Sequence, residues 1–547
     1  MTVVTVVAAV LVALLLRPIW TTIQNYKEAR KVGLPIFLTP IPSANPLMFV
    51  LGPALFPIMK ALPGPICNWA RYGDMFWHFQ DRANPIAKFG PAFIVVSPGK
   101  TQLHVSDPAG GDELLSRPKH FLKPPEIYGA IEIFGPNVDT VNGKTWNRHR
   151  KLTTPPFNER NSGLVWRESI AQAKGMMASW VQAADQGIVQ TSSDTMKLAL
   201  HVLTGAGFGQ TYDYQVGLTK IPEGHAMSYR DALAAILADI LTAILIVKLP
   251  VSLAFIPKFK AMQLACKEFK QYMVEMVHAE RSANRADSKD NLMSVLVKAA
   301  DSSKSGGAAR ESLSDDEIYG NLFIWNLAGH DTTANTLAYA ITLLSVNPEM
   351  QDWIGQEILA VFGPSSSPDE WDYDSAFPQL KRIMALMYET LRLYGPVSSM
   401  TKTTADTPQA LRIAGKSYEI PARWFVHINY VALHSDPATW GANALSWDPT
   451  RFTSASNDLI TPETGTFMPW ASGPRVCPGK KFAQVEFVAV IAYLFGNYRV
   501  RPVLEKGETL EQAKARVQEV VEDSSLEASP TLKMRHPEKV ALVWSSR

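Results

Sequence analysis

Cysteine is scarce in this chain. Its three cysteines are Cys67, Cys266 and Cys477; too few and too far apart for a four-cysteine zinc or iron–sulfur site, they also argue, by their odd number, against a fully paired disulfide framework. Charge is sparse as well. Charged residues make up 19% of the sequence and the formal net charge is +2, too near neutrality for a nucleic-acid binder that works by neutralising phosphates. No Asn-x-Ser/Thr acceptor is present, in keeping with a domain that never enters the secretory lumen. No repeat of roughly 20 to 50 residues is visible, which speaks against a solenoid. Apolar residues are abundant instead, at 46% of 547 residues, and a chain of that kind buries a large core.

No charged residue precedes Arg17. The run MTVVTVVAAVLVALLLRPIW (1–20) is expected to be a membrane anchor, short for a spanning helix but feasible with its flanks. A cleavable signal peptide is the alternative, disfavoured because Lys and Arg are missing from its start and no small-x-small site precedes a polar segment. Arg17, Lys27, Arg30 and Lys31 follow the run, which by the positive-inside rule keeps the body on the cytosolic side. Pro35, Pro40, Pro42, Pro46 and Pro53 then mark 21–60 as a stiff, irregular link, leaving 61–547 as the globular body. A second apolar run, Ala232 to Val247, carries Asp239 in its middle; a charge there is expensive in lipid, so a buried or membrane-dipping helix is expected in preference to a second span.

Within the body, Asp194 to Val202 reads as a helix, and Gly205 to Gly209 (GAGFG) has the wrong spacing for a dinucleotide fingerprint and reads as a packing turn. Residues 301–310 and 363–370 read as flexible connectors. Ser314 with Glu317 forms a capping box that opens a long helix ending at Asn347, before Pro348. Its apolar residues fall on almost every face, so it is expected to cross a core. Residues 504–527 are polar and helix-prone and read as a surface insertion.

Several short motifs carry chemistry. AGHDTT (328–333) puts Gly329, an acid, Asp331, and a hydroxyl, Thr332, into an apolar helix, a combination suited to placing a small ligand against the helix and delivering protons to it. Alone, it would be read first as a polar spot facing solvent. Glu389 and Arg392 lie three apart on one helical face, and Arg451 in WDPTRF could complete a triad with them. Trp146 and Arg150, four apart, present an indole N–H and a guanidinium side by side; both only donate, so together they suit a carboxylate. WASGPRVCPGKKF (470–482) resembles a phosphate loop at first sight, but Gly473 and Gly479 enclose five residues and Lys480 is followed by Lys481, not Ser or Thr.

The order of these motifs, WxxxR, AGxDTT, ExxR, the Pro-Thr-Arg-Phe turn and the Gly-x-Arg-x-Cys-x-Gly loop, resembles the cytochrome P450 family across the whole body. It is similar in style to microsomal enzymes of filamentous fungi. The family's loop usually begins with Phe, where this chain has Trp470, so an aromatic ring is retained. The resemblance implies a mainly α fold with a smaller β region behind an anchor helix, and haem b with Cys477 as thiolate ligand of the iron. It implies that Trp146, Arg150 and Arg475 hold the haem propionates, with Lys402 as a further candidate. Trp470, Gly473 and Gly479 would shape the loop, with both glycines turning tightly against the porphyrin, and Gly329 would give clearance over it. Asp331 and Thr332 would relay protons, and Glu389, Arg392 and Arg451 would form a structural network.

The expected activity is monooxygenation of an apolar small molecule, in secondary metabolism, with Ile127, Tyr128, Ile131, Ile133, Phe134, Ile324, Leu327, Val397 and Met400 as candidate lining. No nucleotide-binding fingerprint fits in the chain, so electrons are expected from NADPH-cytochrome P450 reductase, with cytochrome b5 as a further candidate donor. They would arrive near Lys480, Lys481, Arg148 and Lys151. The expected location is the endoplasmic reticulum membrane, single-pass, with the body facing the cytosol. Two competing readings are an isomerase or dehydratase of the same fold acting without dioxygen, and a non-enzymatic haem carrier or sensor.

Overall fold

The computed structural model describes residues 2–42, 46–74, 76–182, 187–215, 221–248, 255–282, 291–305, 312–364, 366–526 and 531–547. The chain divides into two compact units. One comprises Met1–Ile127, Val397–Ser446 and Pro462–Val476, the other Tyr128–Pro396, Trp447–Thr461 and Cys477–Arg547.

The first unit holds seven strands among its described residues: β1 (Ile36–Leu38), β2 (Ala92–Val96), β3 (Gln102–Val105), β4 (Ser399–Thr403), β5 (Gln409–Ile413), β6 (Lys416–Ile420) and β7 (Phe425–Asn429). Five form a mixed sheet in the order β1-β2-β3-β7-β4, and β5 and β6 form a separate hairpin. Every residue of β2, β3 and β7 is buried, as expected of central strands covered on both faces. Ile94, Val96, Leu103, Val105, Val426 and Ile428 make the core there. His104 and His427 face each other across the β3–β7 register, their rings stacked at 4.6 Å.

The stretch 21–60 is not an irregular link. One helix runs unbroken from Thr2 to Val32 with Pro18 inside it, and Asn25 Nδ2 donates to the carbonyls of Ser97 and Gly99, both at 2.9 Å, which ties its second half to the β2–β3 turn. A second helix, Pro46–Lys60, follows. Pro46 stands at the first residue of this helix, where the missing N–H costs nothing, while Pro53 lies within it. Among the described residues no helix is long and apolar enough to cross a membrane.

The second unit is mainly helical. The helix Asp315–Ser345 is opened by the reciprocal Ser314–Glu317 capping box, and Pro348 begins the next helix. Thr191–Val202 is helical and continues as a wide turn over Leu203–Gly207. A side chain at Gly205 would strike Glu168, so this glycine segment serves packing. Among its described residues this unit holds four strands: β8 (Tyr498–Pro502) pairs antiparallel with β11 (Leu542–Ser546), and β9 (Ser524–Ser525) with β10 (Lys533–Met534).

Three further expectations change. The run 232–247 is two helices, Tyr229–Ala238 and Ile240–Lys248. Asp239 breaks it, because its carboxylate accepts from the Thr242 backbone N–H at 3.2 Å and hydroxyl at 2.7 Å, capping the second helix. Lys258 Nζ neutralises it at 2.6 Å. Residues 301–305 are helical, the end of Leu292–Ser305, while 306–310 lie outside the described residues. Finally, 504–527 is more than a surface insertion. Its helix Leu510–Glu522 buries Ala513, Val517, Val520 and Val521, and Glu522 accepts from the Tyr394 hydroxyl at 2.7 Å.

Candidate active site

Beyond its exposed first turn, the helix Asp315–Ser345 is buried on nearly all sides except in one place. Ala328 is exposed, and Leu327, Gly329 and Thr332 are partly so. At this opening Thr332 Oγ1 donates back to the Ala328 carbonyl at 2.9 Å. Thr336 Oγ1 donates to the Thr332 carbonyl at 2.8 Å and Asn335 Nδ2 to that of Asp331 at 2.8 Å. Such back-bonds hold polar side chains in a helix without orphaning their donors.

Asp331 and Thr332 do not face the same way, since consecutive helical residues diverge by about 100°. Asp331 is buried. Its Oδ1 meets Lys533 Nζ at 2.7 Å, and its Oδ2 accepts from the Thr531 hydroxyl. Gly329 also differs from its expected role: a Cβ there would lie 3.2 Å from Leu203 Cδ2, so the missing side chain serves the approach of a neighbouring helix. Beside Asp331, His330 is buried, and burial lowers its imidazole from the ordinary value, with the Asp331 charge opposing.

Cys477 is exposed and lies just ahead of the buried helix Lys480–Asn497. A Cβ at Gly479 would sit 3.9 Å from Cys477 Sγ and 3.8 Å from Phe157, so a larger residue there would crowd the thiol. Trp146 and Arg150 share a face of the helix Gly143–Thr153, Trp146 buried and Arg150 half-buried. Burial lowers the Arg150 guanidinium from its ordinary value, while negative charge on Cys477 would raise it. A thiol and a guanidinium are therefore close enough to sense each other. The same helix is fastened by His149, whose Nε2 lies 3.1 Å from Glu317 Oε1 and whose Nδ1 accepts from Asn321 Nδ2 at 3.0 Å.

Upstream, in the first unit, Gly473 has φ +68°, a left-handed conformation that favours glycine. A Cβ there would lie 2.7 Å from the Leu115 carbonyl oxygen, so its tight approach is to the end of the helix Pro108–Ser116. Arg475 and Trp470 are half-buried in this unit, and Lys402 is buried on β4.

The helix Lys381–Tyr394 buries Glu389 and Arg392 completely. Arg392 Nε and Nη2 donate to the two carboxylate oxygens at 2.7 and 2.8 Å. The Asp448 backbone N–H adds a bond at 2.8 Å and Arg451 Nε stands 3.6 Å away, which brings the triad together. Glu486, nine residues beyond Cys477, escaped sequence reading: both its carboxylate oxygens are buried without a hydrogen-bond partner among the described residues, and burial pushes it well above the ordinary carboxylate range.

The cationic and apolar candidates divide. Lys151 and Lys480 are exposed. Lys481 stacks over Phe377 at 4.3 Å. Arg148 is not free to meet a partner, because it pairs with Glu317 and donates to the Ser312 carbonyl at 2.8 Å. Phe134 packs edge-on against Phe323 at 4.9 Å and near Phe269, as core, and Ile133 is buried. Tyr128 and Ile131 are half-buried, as is Leu327, while Ile324 is buried. In the first unit Ile127 is half-buried, Met400 packs on the sheet core and Val397 is exposed.

The family model for Cytochrome P450 matches residues 64–521. The phomenoic acid biosynthesis cluster cytochrome P450 monooxygenase of Leptosphaeria maculans is 30% identical over 586 residues, covering 96% of this chain and 98% of that protein. A cytochrome P450 monooxygenase of Penicillium roqueforti is 29% identical over 510 residues, covering 86% and 87%. The 7-deoxyloganic acid hydroxylase of Catharanthus roseus is 26% identical over 398 residues, covering 70% and 72%.

Proposed function

This chain belongs to the cytochrome P450 family, and from that premise we propose that it is a haem-thiolate monooxygenase. It inserts one atom of dioxygen into an apolar organic substrate, in secondary-metabolite biosynthesis, with electrons from a separate NADPH-dependent reductase. The observation that carries the reading is the exposed Cys477 thiol just ahead of the helix Lys480–Asn497, with Gly479, whose side chain is only a hydrogen, beside it.

These residues fit haem b. A soft sulfur ligand is presented with clearance at Gly479, and Trp146 and Arg150 supply donors and positive charge for propionates. Iron bound to the Cys477 thiolate supplies dioxygen activation. Thr332 holds a proton at Oγ1, shared with the Ala328 carbonyl, and can turn it toward the open face of the helix. Asp331, one residue earlier and turned away from that face, is the acid that restores the proton by rotating toward it. Ile131, Ile324 and Leu327 give the substrate side an apolar lining.

Lys480 and Lys151 offer the acidic face of a reductase an exposed cationic surface, with cytochrome b5 as a second donor. The charge-free run before Arg17 anchors the chain in the endoplasmic reticulum membrane with its body in the cytosol. Leu241, Leu245 and Val247, exposed on the Ile240–Lys248 helix, add a peripheral contact. The dioxygen-independent reading is disfavoured by the intact Asp331–Thr332 pair. Secondary metabolism is supported by what the Leptosphaeria relative is named for.

The test is the ferrous–CO spectrum. Wild type is expected to show the red-shifted Soret band of thiolate ligation, and Cys477→Ala to lose it; retention of the band by the variant would exclude Cys477 as ligand.

A further inference from the structure

We propose that the β9–β10 hairpin is a latch on the relay acid, and that Lys533 is a positioning residue which acts through Asp331. The inference rests on the monooxygenase reading above. It starts from a contact between residues about 200 apart in sequence. Each carboxylate oxygen of Asp331 has its own partner on the hairpin segment, Lys533 Nζ for Oδ1 at 2.7 Å and Thr531 Oγ1 for Oδ2. Asn335 Nδ2, which holds the Asp331 carbonyl, also reaches Thr531 Oγ1 at 3.4 Å, closing the network. The segment is itself tied down, since the Leu532 N–H donates to the Pro396 carbonyl at 2.9 Å and the Tyr339 hydroxyl to Ser524 Oγ at 2.6 Å. Thr531 and Lys533 lie beyond the residues that the family model matches.

Exposure gives the network a direction. The Asp331 side chain is 10% accessible and that of Lys533 is 36%. Lys533 is thus the end that touches water, and Asp331 the buried end next to Thr332. Lys533 and Thr531 fix the rotamer of a carboxylate whose burial would be costly without partners. Because Asp331 and Thr332 face different ways, the carboxyl turns from the latch to carry a proton taken up at the Lys533 end to the Thr332 side, and the carboxylate is then restored. Only O–H bonds are exchanged and no electrons move.

Two measurements on the full-length protein test this. In reductase-supplied membranes without added substrate, the ratio of hydrogen peroxide released to NADPH consumed, whose ceiling is one, is expected to rise toward that ceiling in Lys533→Met and to return to the wild-type value in Lys533→Arg. Amide hydrogen exchange at Lys533 and Met534, which needs no haem chemistry, is expected to accelerate in Asp331→Asn and in Lys533→Met. Unchanged exchange in both variants would overturn the latch, whatever the haem does. Faster exchange with an unchanged peroxide ratio would overturn the positioning role and leave a structural contact. Faster exchange in the variants, together with a wild type that takes up no oxygen with reductase, would instead overturn the function proposed above, and the relay role with it.

Discussion

Arg392 grips Glu389 through two parallel hydrogen bonds of 2.7 and 2.8 Å, with neither side chain accessible to solvent. Burial pushes the Glu389 carboxyl up and Arg392 pulls it back. Arg392→Ala would strand a buried carboxylate beside the Asp448 N–H and is expected to cost about 3–5 kcal/mol. Arg392→Lys keeps the charge but loses the planar fork, so chemical denaturation should rank it between wild type and Arg392→Ala. Equal stability of all three would show that the pair carries no weight.

The stacked histidines set an acid limit. Burial, then His427 and His78, holds His104 well below the ordinary imidazole value, and burial pushes His427 down to about 4. Between that value and the unfolded value of about 6.5, the unfolded chain binds more protons. Stability is therefore full above about 6.5 and falls as pH falls through the window, by up to about 1.4 kcal/mol per pH unit for each group. Among the described residues, both ring nitrogens of His104 lack a hydrogen-bond partner, and its ring stacks on Phe93 at 5.1 Å. His104→Phe should keep the stack and shrink the loss of melting temperature between pH 7 and pH 5; an unchanged loss would clear His104.

Thr332→Ala removes the hydroxyl that donates to Ala328 and touches neither Cys477 nor Arg150. The variant should retain its ferrous–CO band while releasing more peroxide per NADPH. A shift of about 1.4 kcal/mol in relative barriers is tenfold in that partition. Unchanged peroxide release would remove Thr332 from the relay.

For the membrane, deleting residues 2–20 should release the protein only in part, and adding Leu241→Glu and Leu245→Glu should release the rest. Full solubility after the deletion alone would count against the Ile240–Lys248 contact. Protection of the intact chain from protease added outside the membranes would overturn the cytosolic orientation.

What the sequence made legible was local. The Ser314–Glu317 box, the stop before Pro348, the two-residue gap between Glu389 and Arg392 and the four-residue step from Trp146 to Arg150 follow from helical geometry. Each appears in the structure at its expected place. What stayed hidden depends on distant partners or on the neighbour that fills a space. Nothing near Asp331 announces Lys533. Gly329 looks like clearance until Leu203 is seen beside it, and Arg148 looks like a docking cation until Glu317 claims it. Asp239 read as a charge within one helix because the capping bond to Thr242 is a property of the folded turn. Pro46 misled for a related reason: at a first helical position proline supports a helix, and position is what composition lacks.

The central claim is oxygen insertion, and isotopically labelled dioxygen tests it most directly. Membranes containing the full-length chain and a reductase are incubated with NADPH and an apolar extract of the native organism, and products are read by mass spectrometry. The account predicts a product that carries one labelled oxygen atom and is absent without dioxygen or NADPH. A product formed anaerobically without reductase, or one whose added oxygen is unlabelled, would contradict it.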